Sequence, residues 1–202
     1  MGFYQDRIVP HLVNLAMRNR QLDPYRERIV AHATGRVLDV GVGSGVNLPI
    51  YTDRAKEIVG LEPHPKLLNM AAEKKPRIPV KLLEGSAESI PLEDSSIDTI
   101  VTTWTLCTIP DVEKALAEMR RVLKRDGQFL FVEHGLSPDE RVRRWQNRLN
   151  PVWKKLAGGC HLNRPIAELV RGAGFRVSQL DTGYMPGPKP MTFMYEGSAR
   201  PA

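Results

Sequence analysis

The feature that most constrains this chain is the run Val37-Leu38-Asp39-Val40-Gly41-Val42-Gly43-Ser44-Gly45. A short β-branched apolar stretch of this kind reads as a buried strand. It runs directly into three glycines, which permit positive φ and let a ligand approach the backbone closely. Open α/β sheets bind ligands off the carboxyl ends of their strands. The segment therefore predicts a fold class and a place for a site at once.

The spacing discriminates among ligands. A dinucleotide fingerprint has glycines at its first, third and sixth positions. Counting from Gly41, the third residue is Gly43 but the sixth is Val46, and the last glycine arrives one residue early at Gly45. Asp39 carries the argument further. Its carboxylate would meet a pyrophosphate with like charge in a partly desolvated site, whereas it would attract a ligand bearing an ammonium and a sulfonium. S-adenosylmethionine is such a ligand. Glu62, 21 residues after Gly41, stands where a carboxylate accepts from ribose hydroxyls.

The rest of the chain alternates in a way that fits a parallel α/β sheet. Strands are expected at 36–40, 57–61, 80–84, 97–103, 128–133, 175–180 and 191–196. Helical patterns fall at 8–18, 24–32, 48–51, 65–75, 111–124 and 165–171. Residues 184–190 are rich in Gly and Pro, and this link is too short for a parallel crossover, so the last strand should enter antiparallel. The 202 residues, 42% of them hydrophobic, suit one domain spanning 1–202, with N-terminal helices over 1–34 and an inserted lid region over 137–164.

Composition excludes several classes. The two cysteines, Cys107 and Cys160, allow neither a disulfide scaffold nor a four-thiolate zinc site. No apolar run reaches the ~18 to 20 residues that span a bilayer, and charged residues interrupt 2–20 where a signal peptide would be apolar. A cytoplasmic location is the expectation. The formal net charge of +6 is concentrated: residues 139–155 hold six Lys and Arg against Asp139 and Glu140, four units of the excess.

These motifs resemble those of class I S-adenosylmethionine-dependent methyltransferases: 37–47, 59–64, Gly85-Ser86-Ala87-Glu88, Ile90-Pro91-Leu92, Ser96-Ile97-Asp98 and 123–127. The resemblance implies a Rossmann-like, seven-stranded, mostly parallel sheet with the last strand antiparallel and helices on both faces. It also implies S-adenosylmethionine as cofactor, with S-adenosylhomocysteine as product. The cofactor residues it implies are Asp39, Gly41, Gly43, Gly45, Asn47, Glu62, Pro63, His64, Ser86, Ala87, Glu88, Thr103 and Trp104. Ser86 stands where Asp is usual, with Glu88 as the acid that compensates at the adenine. Thr105-Leu106-Cys107-Thr108-Ile109, Phe131-Val132-Glu133-His134 and the Trp, Pro, Gly-Cys and Arg pattern of 145–164 are similar to the methyltransferase-like thiol S-methyltransferases. Those relatives carry an N-terminal hydrophobic anchor without counterpart in this sequence, so their location does not transfer.

The acceptor is expected over the ends of the fourth and fifth strands. His134 is the candidate base, since imidazole titrates near neutral pH, with a structural hydrogen bond as the competing reading. Glu133 is expected to orient a neighbour. Tyr4, Cys107, Trp153, Cys160 and His161 are assigned to the substrate pocket, with Phe3 and Tyr4 folding over the cofactor. Cys107, His134, Cys160 and His161 offer zinc-type ligands, but their spacing has neither a CxxC nor an HxxxH element, so pocket lining is preferred and no metal is expected. Within 139–156, Val142, Trp145, Leu149, Val152, Trp153 and Leu156 recur at helical spacing. That helix reads as a lid with its apolar side on the pocket, or as a peripheral membrane contact; nucleic acid is not an expected partner. The resulting expectation is methyl transfer to a small lipophilic thiol. A phospholipid amine or quinone acceptor, and a non-catalytic cofactor-binding regulator, are the alternatives.

Overall fold

A computed structural model describes residues 8–202 of the chain. Seven strands form one sheet in the order β3-β2-β1-β4-β5-β7-β6. They are β1 (Gly35–Val40), β2 (Ala55–Glu62), β3 (Val80–Glu84), β4 (Ile97–Thr103), β5 (Leu123–His134), β6 (Phe175–Tyr184) and β7 (Phe193–Pro201). β1 pairs in parallel with β2 and β4, β2 with β3, and β4 with β5. Only β7 is reversed, running antiparallel to both β5 and β6. This is the Rossmann-like architecture expected, including the reversed last strand.

Helices cover both faces: α1 (Val9–Met17), α2 (Asp23–Val30), α3 (Pro65–Ala72), α4 (Val112–Val122), α5 (Glu140–Leu156), α6 (Ile166–Gly172) and the single turn α7 (Lys189–Thr192). Strand alternation assigns residues to the two faces. Leu38, Val40 and Ile100 join one apolar cluster with Leu116 and Met119 of α4 and Val170 of α6. Val37, Ile58 and Val101 join the other with Ile29 and Val30 of α2 and Ala71 of α3. The strands of a parallel sheet are buried on both sides and need near-continuous apolar runs, which is what β1 and β4 supply. α4 follows the expected face at Val112, Leu116 and Met119, and Asp111 caps it by accepting from the Lys114 amide at 3.0 Å.

The structure departs from expectation at strand ends. β5 starts at Leu123 rather than 128, because Leu123 already pairs with Ile97. The polar Lys124, Arg125 and Asp126 make this stretch read as a helix end. β7 starts at Phe193, after the α7 turn, and continues to Pro201. Within it, a Cβ on Gly197 would lie 2.6 Å from the Phe131 ring and 2.7 Å from the Gln179 carbonyl. The glycine lets the central aromatic of β5 pack under the reversed strand. Tyr4 and Phe3, expected over the cofactor, lie outside the described residues.

Candidate active site

β1 and β2 end side by side, and the glycine loop crosses between them. The Gly41 and Val42 amides donate to the Leu61 carbonyl at 2.8 and 3.1 Å. Gly41, Gly43 and Gly45 all have positive φ, at 69°, 55° and 75°. A Cβ on Gly41 would stand 2.4 Å from Thr105 Cγ2, whereas one on Gly43 would meet nothing nearer than the Gly41 carbonyl at 3.8 Å. The first glycine is thus required by the protein itself, and the second leaves open space above the loop.

The two carboxylates behave differently. Asp39 is fully buried. Its Oδ2 accepts from Asn47 Nδ2 at 3.2 Å and from the Tyr51 hydroxyl at 3.1 Å, while Oδ1 is buried without a partner among the described residues. Burial pushes its pKa up to about 7, against the pull of Asn47, Tyr51 and the nearby Arg26. Glu62 is held by backbone instead: Oε2 accepts from the Gly43 amide at 3.1 Å and Oε1 from the His64 amide at 2.9 Å. Burial also raises its pKa, opposed by these two amides. Asn47 further donates to Thr103 Oγ1 at 3.1 Å, so the ends of β1 and β4 share one polar network. His64 caps α3 by accepting from the Lys66 amide at 3.3 Å, and Pro63 is exposed beside it.

The loop after β3 differs from expectation. Ser86 Oγ donates to Glu88 Oε2 at 3.1 Å, and Glu88 Oε1 accepts from the Asp111 amide at 2.7 Å. One Glu88 oxygen is thus held inside the loop by Ser86 and the other ties the loop to the start of α4, leaving Glu88 less available to an adenine than the residue order suggests. Ala87 beside it is buried.

At the acceptor end, Trp104 follows β4 with φ 52°. Arg26, buried in α2, places its guanidinium 5.0 Å from the centre of the Trp104 ring and donates to the Met17 carbonyl at 2.6 Å. Glu133 is fully buried, and its Oε1 accepts from the Thr105 and Leu106 amides at 3.0 Å each. It therefore orients the loop after β4, as expected. The loop after α5 straps over that same segment. The His161 amide donates to the Cys107 carbonyl at 2.7 Å, and the Arg164 guanidinium donates to the carbonyls of Leu106 and Pro110. This brings Cys107, His134 and Cys160 together, with one potential ligand atom from each within 4.8 Å of the others. His134 Nε2 lies 3.1 Å from Cys160 Sγ. The imidazole expected as a base is engaged with a thiol, and Cys107 and burial hold that thiol protonated by raising its pKa well above the usual range. His161 stands outside the cluster; burial, with Arg164 and Lys154, lowers its pKa to about 4.

The lid expectation is corrected on one point. Val142 and Gln146 form the buried face of α5, while Trp145, Val152 and Leu156 are exposed. Gln146 is fully buried. Its Nε2 donates to the carbonyls of Gly135 and Leu162 at 2.9 Å and Pro190 at 3.1 Å, and its Oε1 accepts from the Ser137 amide at 3.0 Å. A polar clamp, rather than a continuous apolar stripe, fastens the helix. Trp153 is half-buried, with its Nε1 buried and unpartnered among the described residues.

The methyltransferase domain family matches residues 38–131, the stretch from β1 to β5. Over that stretch the chain carries a methyltransferase domain of the class I, S-adenosylmethionine-dependent kind. A thiol S-methyltransferase, TMT1B of Rattus norvegicus, is 32% identical over 151 residues, 72% of this chain and 62% of that protein. A phosphatidylethanolamine N-methyltransferase of Cereibacter sphaeroides is 34% identical over 116 residues, 54% of this chain and 57% of its own. The chain thus spans less than two thirds of the length of these relatives. A SAM-dependent methyltransferase structure from Thermotoga maritima superposes with a TM-score of 0.70 at 23% identity, covering 98% of this chain and all of that one, a likeness of fold.

The cofactor of this domain family is S-adenosylmethionine, and the residues present fit it. Asp39 Oδ1 and Asn47 Oδ1 are buried polar atoms without partners among the described residues, and the space over Gly43 is open. Tyr51 donates to Asp39 and the Arg26 charge lies near it, yet neither residue stands in the glycine motif or carries a local sign of its role. Among the described residues, no helix is long and apolar enough to cross a membrane.

Proposed function

We propose that the protein methylates a small lipophilic thiol. The observation that carries this reading is the sulfur-rich, largely buried cluster of Cys107, Cys160 and His134 next to the Trp104 backbone at the end of β4; the likeness to thiol S-methyltransferases supports it. The cofactor, when bound, supplies a methyl group on a sulfonium. Asp39 would hold its ammonium, Glu62 would accept from its ribose, and the glycine loop would let it lie against backbone. A thiolate meeting a sulfonium loses charge in the transition state, so an apolar wall that excludes water favours the reaction. A thiol near pKa ~8.5 asks little of a base, which suits a site where His134 is occupied by Cys160.

A phospholipid amine or quinone acceptor is the second reading, and α5 favours it. Arg141, Arg144, Trp145 and Arg148 line a surface recess of about 250 Å³, and on the same helix Val152 is exposed as well. Cations with an exposed indole suit an anionic lipid surface. Incubation with thiols, amines, phenols, quinols and phosphatidylethanolamine vesicles decides between them. Turnover of alkyl or aryl thiols alone is the expected result; turnover of vesicle lipid without any thiol would overturn the thiol reading. Calorimetry with Glu62→Ala tests the cofactor assignment, and an affinity unchanged from the parent would remove Glu62 from the site.

A further inference from the structure

We propose that Cys107, His134 and Cys160 form a three-ligand zinc site whose open fourth position takes the acceptor's sulfur. The three donors come from the loop after β4, the end of β5 and the loop after α5, so no local spacing announces them. Their ligand atoms lie within 4.8 Å of one another, and His134 Nε2 is 3.1 Å from Cys160 Sγ. Tetrahedral zinc, with Zn–S near 2.3 Å and Zn–N near 2.0 to 2.1 Å, needs ligand separations of about 3.4 to 3.8 Å. The observed cluster reaches that geometry by movements of about 1 Å or less, within what side-chain torsions of a cysteine in a loop allow.

The donors have few competing roles. Outside the cluster, the hydrogen-bond partners of Cys107 Sγ among the described residues are the Trp104 carbonyl and Thr108 Oγ1, both at 3.5 Å. His134 Nδ1 is buried without a partner among the described residues, and a metal on Nε2 would fix the proton on Nδ1. The scaffold is firm: the His161 amide is bonded to the Cys107 carbonyl, and His134 is paired with Met194 of β7. Two thiolates neutralise a zinc dication, which suits a buried place. Two sulfurs and one imidazole select zinc over calcium or magnesium. Three protein ligands with one position open is the arrangement of catalytic rather than structural zinc.

The step assigned to this site balances simply. On loading, the Cys107 and Cys160 S–H bonds break and their protons pass to water. The acceptor R–SH then coordinates: its S–H bond breaks, the electron pair stays on sulfur and binds zinc, and the proton goes to solvent. A coordinated thiol is deprotonated outright, so the acceptor is presented as a thiolate without a dedicated base. The fourth-ligand half of this inference rests on the thiol reading above; the metal site does not.

The test uses the full chain, purified in a phosphine reductant and loaded with Co²⁺ as a coloured stand-in for zinc. One equivalent should bind with tetrahedral d–d bands and thiolate-to-cobalt charge transfer. Both Cys107→Ser and Cys160→Ser should lose most of the charge transfer while circular dichroism stays unchanged. Cys160 lies in a loop, so its variant serves if Cys107→Ser does not fold. Adding an alkanethiol should shift the d–d bands, and adding an alkylamine should not. Failure to retain either Co²⁺ or Zn²⁺ overturns the proposal. Thiols methylated at an undiminished rate after chelation overturn the fourth-ligand role while leaving the thiol reading intact. Metal bound through both cysteines, with no thiol methylated and no spectral shift, would sink the thiol reading and the fourth-ligand role together, and would support the metal site alone.

Discussion

The cofactor end and the acceptor end of this site are built on opposite plans. The cofactor end is nearly contiguous: Asp39, the glycines, Asn47, Tyr51 and Glu62 fall within 24 residues on two neighbouring strands and the link between them. The acceptor end draws on segments far apart in sequence, with Cys107, His134 and Cys160 joined by the strap of His161 and Arg164. In the first region the backbone geometry is a local property of glycine. In the second, everything depends on how α5 and the loop after it are fastened. The two regions should therefore fail in different ways.

The fastening of the acceptor end is where the largest effect is expected. Gln146→Leu keeps the volume but strips four hydrogen bonds from a fully buried side chain, leaving three carbonyls and one amide without that partner. Each such buried group costs about 1 to 3 kcal/mol, and with partial relaxation we expect a loss of about 4 kcal/mol in urea unfolding. Cofactor affinity should survive in whatever fraction stays folded, because the glycine loop does not depend on α5. Lost stability together with lost intrinsic cofactor affinity would break the division between the two regions.

Gly41→Ala probes the other plan. The new Cβ meets Thr105 at 2.4 Å on a residue with φ of 69°. A non-glycine residue held in a left-handed conformation, with a contact added, costs about 3 kcal/mol. Thr105→Ala in the same chain should relieve the contact but not the dihedral, recovering about half of the loss in thermal unfolding. Full recovery would mean that the dihedral carries no strain, and no recovery would mean that the contact carries none.

The same contrast explains what the sequence disclosed. The sheet, its reversed last strand and the glycine loop were legible because each is written in local patterns: β-branched runs, glycine spacing, and a link too short for a crossover. Leu123 was misjudged because polar neighbours hid a strand pairing with Ile97. Arg26 and Gln146 were missed because a polar residue on a helix reads as a solvated face until the packing shows it buried. The Cys107, His134 and Cys160 cluster was passed over on spacing, a criterion that applies only when ligands come from one local segment. Glu88 was assigned outward to a ligand, whereas its tie to the Asp111 amide is a long-range contact that no spacing signals.

Asp39 supplies a smaller, pH-dependent effect. Its pKa is raised to about 7 in the folded protein by burial. The folded apoprotein therefore holds a proton that the unfolded chain releases at lower pH, and this group's contribution to apoprotein stability falls as pH rises from about 4 to 7. Binding an ammonium requires the carboxylate, so cofactor affinity should run the other way. It should fall by up to about tenfold per unit as pH drops below 7, the equivalent of about 1.4 kcal/mol per unit, and level off above that pH. Asp39→Asn should flatten the profile and weaken binding at pH 8. Calorimetry across pH 5.5 to 8.5 reads both, and a slope that persists in the variant would assign the titration elsewhere.

The smallest effect on stability is expected where the helix faces outward. Trp145 is 55% exposed and Val152 61% exposed, so Trp145→Ala and Val152→Ser should each change folding stability by no more than about 0.5 kcal/mol. Their consequence should appear only against a lipid surface. Arg144 is paired to Glu140 at 2.7 Å, but Arg141 and Arg148 stand with it around the Trp145 recess, and that charge gives anionic vesicles something to attract. Sedimentation with phosphatidylglycerol vesicles should weaken in Trp145→Ala and in high salt, while thiol turnover in detergent-free buffer stays unchanged. If turnover of a water-soluble thiol falls with the indole, Trp145 closes over the acceptor and α5 is a lid after all. If neither quantity moves, the helix's exposed face contributes to neither end of the site, and the contrast between them lies wholly in the buried residues.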